Sequence, residues 1–313
     1  MEGNRTASVL DPAVVAAIDD LEVVARHIVE GLRTGEHRSP FHGFSAEFSQ
    51  YRPYRPGDDL KYLDWKVLAR TDRLYTRQFR ETTNLSAMIV LDTSASMAYP
   101  DAASGGAVSK FVYARLIAAA LAYLLVQQGD AVGLMTMVDG QFVYVPPRGG
   151  RMHLRRVLAR MSTLTPTGAW QPGTVISRAA ELLRRRGVML MLSDFYDAED
   201  VTLTELKRAA RRGHEVAMLQ VMSRREIDFP YTGGVEFEDL EGGATKLVDA
   251  SSLARDYRAR VATFLTEWRA KAQGGGIDHA LFTTDVPPDD ALRDYLIRRG
   301  AGRDLSPITS EQG

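Results

Sequence analysis

Two segments of the chain place oxygen-bearing side chains directly after short apolar runs. Asp92, Ser94 and Ser96 alternate in the segment DTSAS, which follows the apolar run that ends at Leu91. Asp194 ends a second run, MLMLSD. In an open parallel sheet, ligands bind where the loops leave the carboxyl ends of the strands. If both runs are neighbouring strands, these four side chains can face one crevice.

The chemistry of such a cluster is that of a hard cation. It offers two carboxylates and several hydroxyls, with no His or Cys, which suits Mg²⁺ or Mn²⁺ held octahedrally with several waters retained. Thr174 follows Pro172-Gly173 and opens a predicted helix, where its hydroxyl can either cap that helix or reach the crevice. A coordination position left open could accept a partner's carboxylate, because Asp and Glu oxygens are ligands of the same kind.

The elements that must position these residues alternate along the chain. From residue 85 to 300, short apolar runs are separated by helical patterns, which is typical of a parallel sheet buried on both faces. We predict a doubly wound, Rossmann-like α/β domain with a mostly parallel sheet. Asp139-Gly140 predicts a tight hairpin between two of its strands.

A small N-terminal α+β appendage is predicted over residues 1–84. Between Pro12 and Leu32, apolar residues recur every three or four positions, which indicates one amphipathic helix with Asp11 as its N-cap. Pro and Gly interrupt the segment after it, and Leu74 to Phe79 alternates as a strand does. Residues 301–313 are polar and are expected to form a flexible tail.

Composition excludes several classes of site and partner. The 313 residues include 39 Lys and Arg against 40 Asp and Glu, so a net charge of -1 gives no global attraction to nucleic acid. With no Cys, disulfides and thiolate chemistry are excluded. The N-terminus lacks the pattern of a signal peptide, and the longest apolar run is about half of the ~20 residues that a membrane span needs. We expect a cytoplasmic protein with no membrane span and no nucleic-acid partner.

Two motifs resemble known families. DTSASM after the first strand, a Thr at the start of a later helix and a strand that ends in SD resemble the metal-ion-dependent adhesion site of von Willebrand factor A domains. The upstream segment GFSAEFSQYRPYRPGDDLKYLDWKVLARTDRLYTRQF is similar to the signature of the bacterial domain-of-unknown-function family fifty-eight. In that family the signature precedes such a domain, so the resemblance implies a von Willebrand factor A-like fold here.

The resemblance also implies a metal site and a partner. It assigns the ligands of Mg²⁺ as Asp92, Ser94, Ser96, Thr174 and Asp194. The two serines would bind directly, and the two aspartates directly or through water. Thr167 also stands next to a Gly and stays open as the threonine ligand, although the apolar helix pattern begins right after Thr174. Family members are typically encoded beside MoxR-type AAA+ ATPases, which implies such an ATPase as the partner in assembly, maturation or chaperone-like work.

The signature segment itself holds charged and aromatic residues that could bind a partner. They are Arg52, Arg55, Asp58, Asp59, Asp64, Trp65 and Arg70. They form either a recognition surface or an ion-paired lid on the sheet, anchored by the Trp. The lid is favoured, because Pro-Gly-Asp is good turn chemistry by itself and a Trp suits a small satellite core.

Two functions follow from these residues. The first is a non-enzymatic binding module, in which the metal captures an acidic residue of a partner or client protein. The second is a Mg²⁺-dependent phosphoryl hydrolase with Asp92 as its nucleophile. A haloacid-dehalogenase-like site would need a second Asp two positions on, where this sequence has Ser94. No Walker A motif is present, so ATP-driven work would come from a separate chain. We expect the binding module.

Overall fold

The computed structural model describes residues 11–16, 18, 20–32, 46–53, 67–68, 70, 73–81, 85–100, 108–168, 170–183, 186–196, 199–238 and 245–303. Within them the helices are α1 (Pro12–Ala16), α2 (Leu21–Leu32), α3 (Lys110–Gln127), α4 (Arg151–Ser162), α5 (Pro172–Leu182), α6 (Glu199–Arg211), α7 (Arg224–Asp228), α8 (Ala250–Gln273) and α9 (Pro288–Arg303). The strands are β1 (Ala46–Pro53), β2 (Tyr75–Glu81), β3 (Ser86–Leu91), β4 (Ala131–Val138), β5 (Gln141–Arg148), β6 (Val188–Ser193), β7 (Glu215–Met222), β8 (Gly234–Glu238), β9 (Thr245–Asp249) and β10 (Asp278–Thr283).

A six-stranded sheet forms the centre of the described structure, in the order β10-β7-β6-β3-β4-β5. Its strands pair in parallel except β5, which lies antiparallel to β4 at one edge. The chain enters at β3, moves outward to β5, returns to β6 beside β3, and then moves outward to β10 on the other side. The winding therefore reverses between β3 and β6. This confirms the predicted doubly wound, mostly parallel architecture of the von Willebrand factor A or Rossmann-like kind.

Helices cover both faces of this sheet. Ala87, Ile89 and Leu91 of β3 share one core with buried residues of α2, α3, α4 and α9. Met88 and Val90 belong to a second core with α5, α6 and α8. Successive side chains of a strand point to opposite faces, so a central strand buried on both faces must be apolar throughout. That requirement explains the unbroken apolar run that precedes Asp92.

The turns and ends of the elements agree with the sequence in part. Asp139 and Gly140 both have positive φ, 49° and 74°, which confirms the predicted tight hairpin between β4 and β5. Asp11 caps α1 as predicted, since its Oδ1 accepts a hydrogen bond from the backbone of Ala13 at 2.8 Å. Helix α9 continues to Arg303, so the first three residues of the predicted tail are helical, and its other residues lie outside the described part of the chain. Helix ends commonly shift by one or two residues with the fraying of the last turn.

The N-terminal amphipathic segment is two helices rather than the one that was predicted. α1 ends at Ala16 and α2 begins at Leu21, where Asp20 Oδ1 accepts hydrogen bonds from the backbone of Glu22 at 2.9 Å and Val23 at 3.2 Å. A capping carboxylate satisfies the free N–H groups of a new helix and so starts one at that point. Helix α2 then packs into the core that it shares with α3. The N-terminal appendage otherwise contains the antiparallel pair β1 and β2.

Helix α3 is the most apolar long helix that the structure describes. By length and composition alone, its 18 residues Lys110–Gln127 could cross a membrane, and it is the one described helix of which this is true. In the structure, 67% of those residues are buried inside the domain. This burial is what the core helix of a doubly wound sheet requires, because both the sheet and α2 cover it.

Candidate functional site

The two aspartates come together because they follow neighbouring parallel strands. β3 pairs with β6 in a register that aligns Leu91 with Leu192. The backbone N–H of Asp92 extends this pairing by donating to the Leu192 carbonyl at 3.0 Å. Asp194 lies one residue beyond the end of β6, at the same edge of the sheet. The topological reversal between β3 and β6 therefore forms the crevice in which ligands of open α/β sheets bind.

Hydrogen bonds tie the oxygen atoms of this edge into one cluster. Asp92 Oδ1 accepts from the backbone of Ser94 at 2.7 Å, and Asp92 Oδ2 accepts from Ser193 Oγ at 2.5 Å. The Oγ atoms of Ser94 and Ser96 lie 3.0 Å apart. Ser96 Oγ also donates to Asp194 Oδ2 at 2.8 Å. The structure thus brings together four of the five ligands implied by the resemblance.

The spacing of these oxygens suits a small divalent cation. An octahedral ion with ligands at 2.0–2.1 Å places adjacent ligand oxygens about 2.9 Å apart. The distances from Ser96 Oγ to Ser94 Oγ and to Asp194 Oδ2, 3.0 and 2.8 Å, are those of hydrogen bonds and are compatible with two such edges. Asp92 and Ser94 are buried, whereas Ser96 is partly exposed, so the cluster reaches solvent on the side of Ser96. Among the residues that the structure describes, no three His, Cys, Asp or Glu side chains cluster as metal ligands, and this set depends on hydroxyls instead.

Negative charge accumulates at this edge. Burial, together with the charge of Asp194, raises the pKa of Asp92 from 3.8 to about 7. Burial also raises the pKa of Glu226, although Lys110 works against that rise. Asp194 and Glu226 thus share the one ammonium group of Lys110, and Asp92 lies near enough to Asp194 to be repelled by its charge. A buried charge is stable only when it is paired or bound to a metal, so a cation at this site would relieve the excess.

Lys110 and Glu226 are site residues that the sequence analysis missed. The Lys110 Nζ atom lies 2.7 Å from Asp194 Oδ2 and 2.6 Å from Glu226 Oε1. Burial lowers the pKa of Lys110, but the charges of Asp194 and Glu226 outweigh this effect and raise it above its ordinary value. The one signal in the sequence is a Lys as the first residue of a mostly apolar helix, where the positive end of the helix dipole disfavours it.

Thr174 is not brought to the oxygen cluster. It is exposed near the start of α5 and lines a surface groove with Trp170 and Val201, and none of the four oxygen ligands lines that groove. The loop that carries the serines contacts the other threonine instead. The backbone N–H of Thr167 donates to the Thr93 carbonyl at 2.8 Å. A second hydrogen bond joins the same two loops, since the Ala95 N–H donates to the Gly168 carbonyl at 3.1 Å. The loop that contains Thr167 is therefore bonded to the serine loop at two points.

The charged and aromatic residues of the signature segment lie mostly outside the described residues. This holds for Arg55, Asp58, Asp59, Asp64 and Trp65. Arg52 belongs to β1, whose side chains at this point are not described, and Arg70 is exposed. Both interpretations of the segment, a recognition surface and an ion-paired lid, stay predictions.

Several known proteins are similar to this chain. The chain is 30% identical over 255 residues to the uncharacterized protein Rv1480 of Mycobacterium tuberculosis, across 80% of this chain and 78% of that protein. It is similar to the conserved hypothetical protein BatB from Bacteroides thetaiotaomicron, with a TM-score of 0.44 and 16% identity over 69% of this chain and 99% of BatB. It is also similar to the SpRpn10 VWA domain, with a TM-score of 0.41 and 14% identity over 66% of this chain and 94% of that domain.

The family model described as "Protein of unknown function DUF58" matches residues 50–270. This region includes both the strand ends with the oxygen cluster and most of the signature segment. On that match, the chain belongs to the DUF58 family.

Proposed function

We propose that this protein is a non-enzymatic, metal-dependent protein-binding module. Asp92, Ser94, Ser96 and Asp194 would hold Mg²⁺ or Mn²⁺ at the reversal point of the sheet. When bound, the ion supplies an open coordination position to a carboxylate oxygen of a partner. The observation that carries the proposal is the convergence of Ser94 Oγ, Ser96 Oγ and Asp194 Oδ2, which two contacts of 3.0 and 2.8 Å link at the edge of the sheet.

The remaining groups at the edge have supporting roles. The Ser94 N–H and the Ser193 hydroxyl orient the Asp92 carboxylate, because each donates to one of its two oxygens. Such outer hydrogen bonds fix the direction of a metal ligand and so raise the affinity of the site. We propose that Thr167, rather than Thr174, supplies the threonine hydroxyl, since its backbone is bonded to the loop that carries the serines.

The environment of Asp92 favours binding over hydrolysis. A carboxylate that attacks phosphorus must present a free oxygen to the substrate. Asp92 is 2% exposed, and Ser94 stands where a haloacid-dehalogenase-like site needs its second Asp. The phosphoryl-hydrolase alternative therefore has less support. Phosphatase turnover by the protein that is lost in Asp92→Asn would revive it.

The proposed partner is a MoxR-type AAA+ ATPase, with an acidic residue of the ATPase or of its client as the captured group. This assignment is supported by membership of the DUF58 family and by the sequence resemblance given above. The chain has no Walker A motif, so the ATP-driven step belongs to the other protein. We propose a cytoplasmic location for the pair, where ATP is available, and a role in protein assembly, maturation or chaperone-like work.

Capture of the ATPase tests this function. The immobilised protein should retain a purified MoxR-type ATPase from the same organism in MgCl2 and release it in EDTA. Ser96→Ala should weaken capture at least about tenfold, since a charge-assisted ligand is worth more than about 1.4 kcal/mol. Thr167→Ala should weaken it as well, and the matched change Thr174→Ala should leave it unaltered.

Three results would contradict the proposal or a part of it. Capture that survives both EDTA and Ser96→Ala would show that the metal does not mediate binding. Absence of capture under all conditions, with a folded protein and an active ATPase, would remove the ATPase as the partner. Equal losses in the two threonine variants would contradict the assignment of Thr167.

A further inference from the structure

Lys110 is a buried positive charge in a position that disfavours one. It is the first residue of α3, and its side chain is 1% exposed. The N-terminal end of a helix carries the positive end of the helix dipole, so a cation there is destabilised. Burial adds the cost of removing the ammonium from water. A buried Lys that is destabilised in both ways needs nearby negative charges to compensate.

Two carboxylates, from different parts of the chain, form ion pairs with the ammonium of Lys110. Asp194 Oδ2 lies 2.7 Å from Lys110 Nζ, and Glu226 Oε1 lies 2.6 Å from it. Glu226 is itself fixed, because its Oε2 accepts a hydrogen bond from the backbone of Ser223 at 2.9 Å. The ring of Tyr196, 4.9 Å from Nζ, covers the ammonium and adds a cation–π contact. The position of the charge is therefore well defined.

One oxygen atom belongs both to this ion pair and to the proposed metal site. Asp194 Oδ2 contacts the ammonium of Lys110 and also accepts the hydrogen bond of Ser96 Oγ at 2.8 Å. A divalent ion bound at Ser96 would share that oxygen with an ammonium group or compete with it. Glu226 moderates the competition, because it takes part of the ammonium's charge.

We propose that Lys110 is a built-in cation that neutralises Asp194 in the absence of metal and sets the affinity of the site for divalent ions to a low value. The inference rests on the proposed metal-dependent function. Because Lys110 already neutralises Asp194, the site of the free protein presents less negative charge to a divalent ion than its two aspartates alone would. The carboxylate of the partner then supplies the missing charge, so that the ion and the partner bind firmly only together.

The proposal predicts opposite effects for two changes near the site. Lys110→Met together with Glu226→Gln removes one positive and one negative charge, so the net charge stays the same while Asp194 is released. This double variant should bind Mg²⁺ at least about tenfold more tightly, because the lost ammonium touched a metal ligand and the lost carboxylate lay farther away. Glu226→Gln alone leaves the ammonium entirely to Asp194 and should weaken Mg²⁺ binding about tenfold. Lys271→Met, which removes a Lys from the surface pair with Glu267, should change nothing.

Titration calorimetry of the full chain with MgCl2, and then with MnCl2, tests the proposal, with circular dichroism to verify that each variant is folded. Tighter binding by the double variant and weaker binding by Glu226→Gln would support it. Equal affinities in all four proteins would overturn it and leave the metal site intact. Binding by the double variant but not by the unmodified chain would support the role of Lys110 and overturn metal binding by the free protein. Binding by none of them would overturn both proposals.

Discussion

Replacing Asp194 by Ala should lower the free energy of unfolding by about 3 kcal/mol in EDTA at pH 7. Removing one partner of a buried ion pair leaves the other charge without compensation, and such losses are commonly 3–5 kcal/mol. Here the ammonium of Lys110, 1% exposed, would keep only Glu226. Loss of the repulsion between Asp194 and Asp92 offsets part of the cost, so we expect the lower end of that range. Denaturant unfolding measures the change.

A surface pair provides the matched control. Asp228 contacts Arg224 at 2.7 Å, with both side chains about half exposed. Exposed ion pairs are worth about 1 kcal/mol or less, so Asp228→Ala should have a small effect. In the double variant that combines Asp194→Ala with Lys110→Met, part of the loss should be recovered, because no unpaired ammonium remains. A loss below about 1 kcal/mol for Asp194→Ala would contradict the ion pair that the structure describes.

Titration of Asp92 should cost the metal-free protein stability as the pH rises from 4 to 8, whereas His279, whose pKa burial lowers to about 4, contributes in the opposite direction. The pKa of Asp92 is raised from 3.8 to about 7, so between these values the folded state binds a proton that the unfolded state has released. The stabilisation is therefore complete below pH 4 and is lost as the pH rises through 7. A difference of about three pKa units corresponds to a loss on the order of 4 kcal/mol.

Asp92→Asn provides the comparison, because Asn cannot titrate and has nearly the same shape. Unfolding in EDTA across this pH range should give a curve that falls less steeply for the variant. Other groups titrate in both proteins, so the difference between the two curves isolates Asp92. In Mg²⁺ the trend should reverse, since the ion binds the ionised carboxylate and gains affinity as protons leave. Parallel curves for the two proteins in EDTA would contradict the buried, repelled state of Asp92.

The sheet and its edge could be predicted because local patterns determine them. Apolar strands without alternation, such as Val188–Leu192, require burial on both faces, and parallel strands place their carboxyl ends together. Asp92 and Asp194 each follow such a strand directly, so the sheet topology alone predicts that the two side chains lie close together. The Asp139-Gly140 hairpin was equally local, since the two residues accept positive φ.

Other features depend on packing that the sequence does not display. Lys110 meets Asp194 across 84 residues of chain and Glu226 across 116, and no local pattern links them. The role of Gly173, just before Thr174, depends on such packing, because a Cβ there would lie 2.4 Å from Val201 Cγ1 of α6. That glycine permits the close approach of two helices. The break before α2 was also hidden, because the apolar spacing continues through the capping residue Asp20.

Thermal unfolding in EDTA and then in 20 mM MgCl2 tests the central claim, a divalent-ion site at Asp92, most directly. Even a weak site with a Kd of about 0.2 mM would be stabilised by about 2.7 kcal/mol, which raises the midpoint by several degrees in a protein of this size. We expect this rise in the unmodified chain and no rise in Asp92→Ala. An unchanged midpoint in the unmodified chain, or an equal rise in both proteins, would contradict the account.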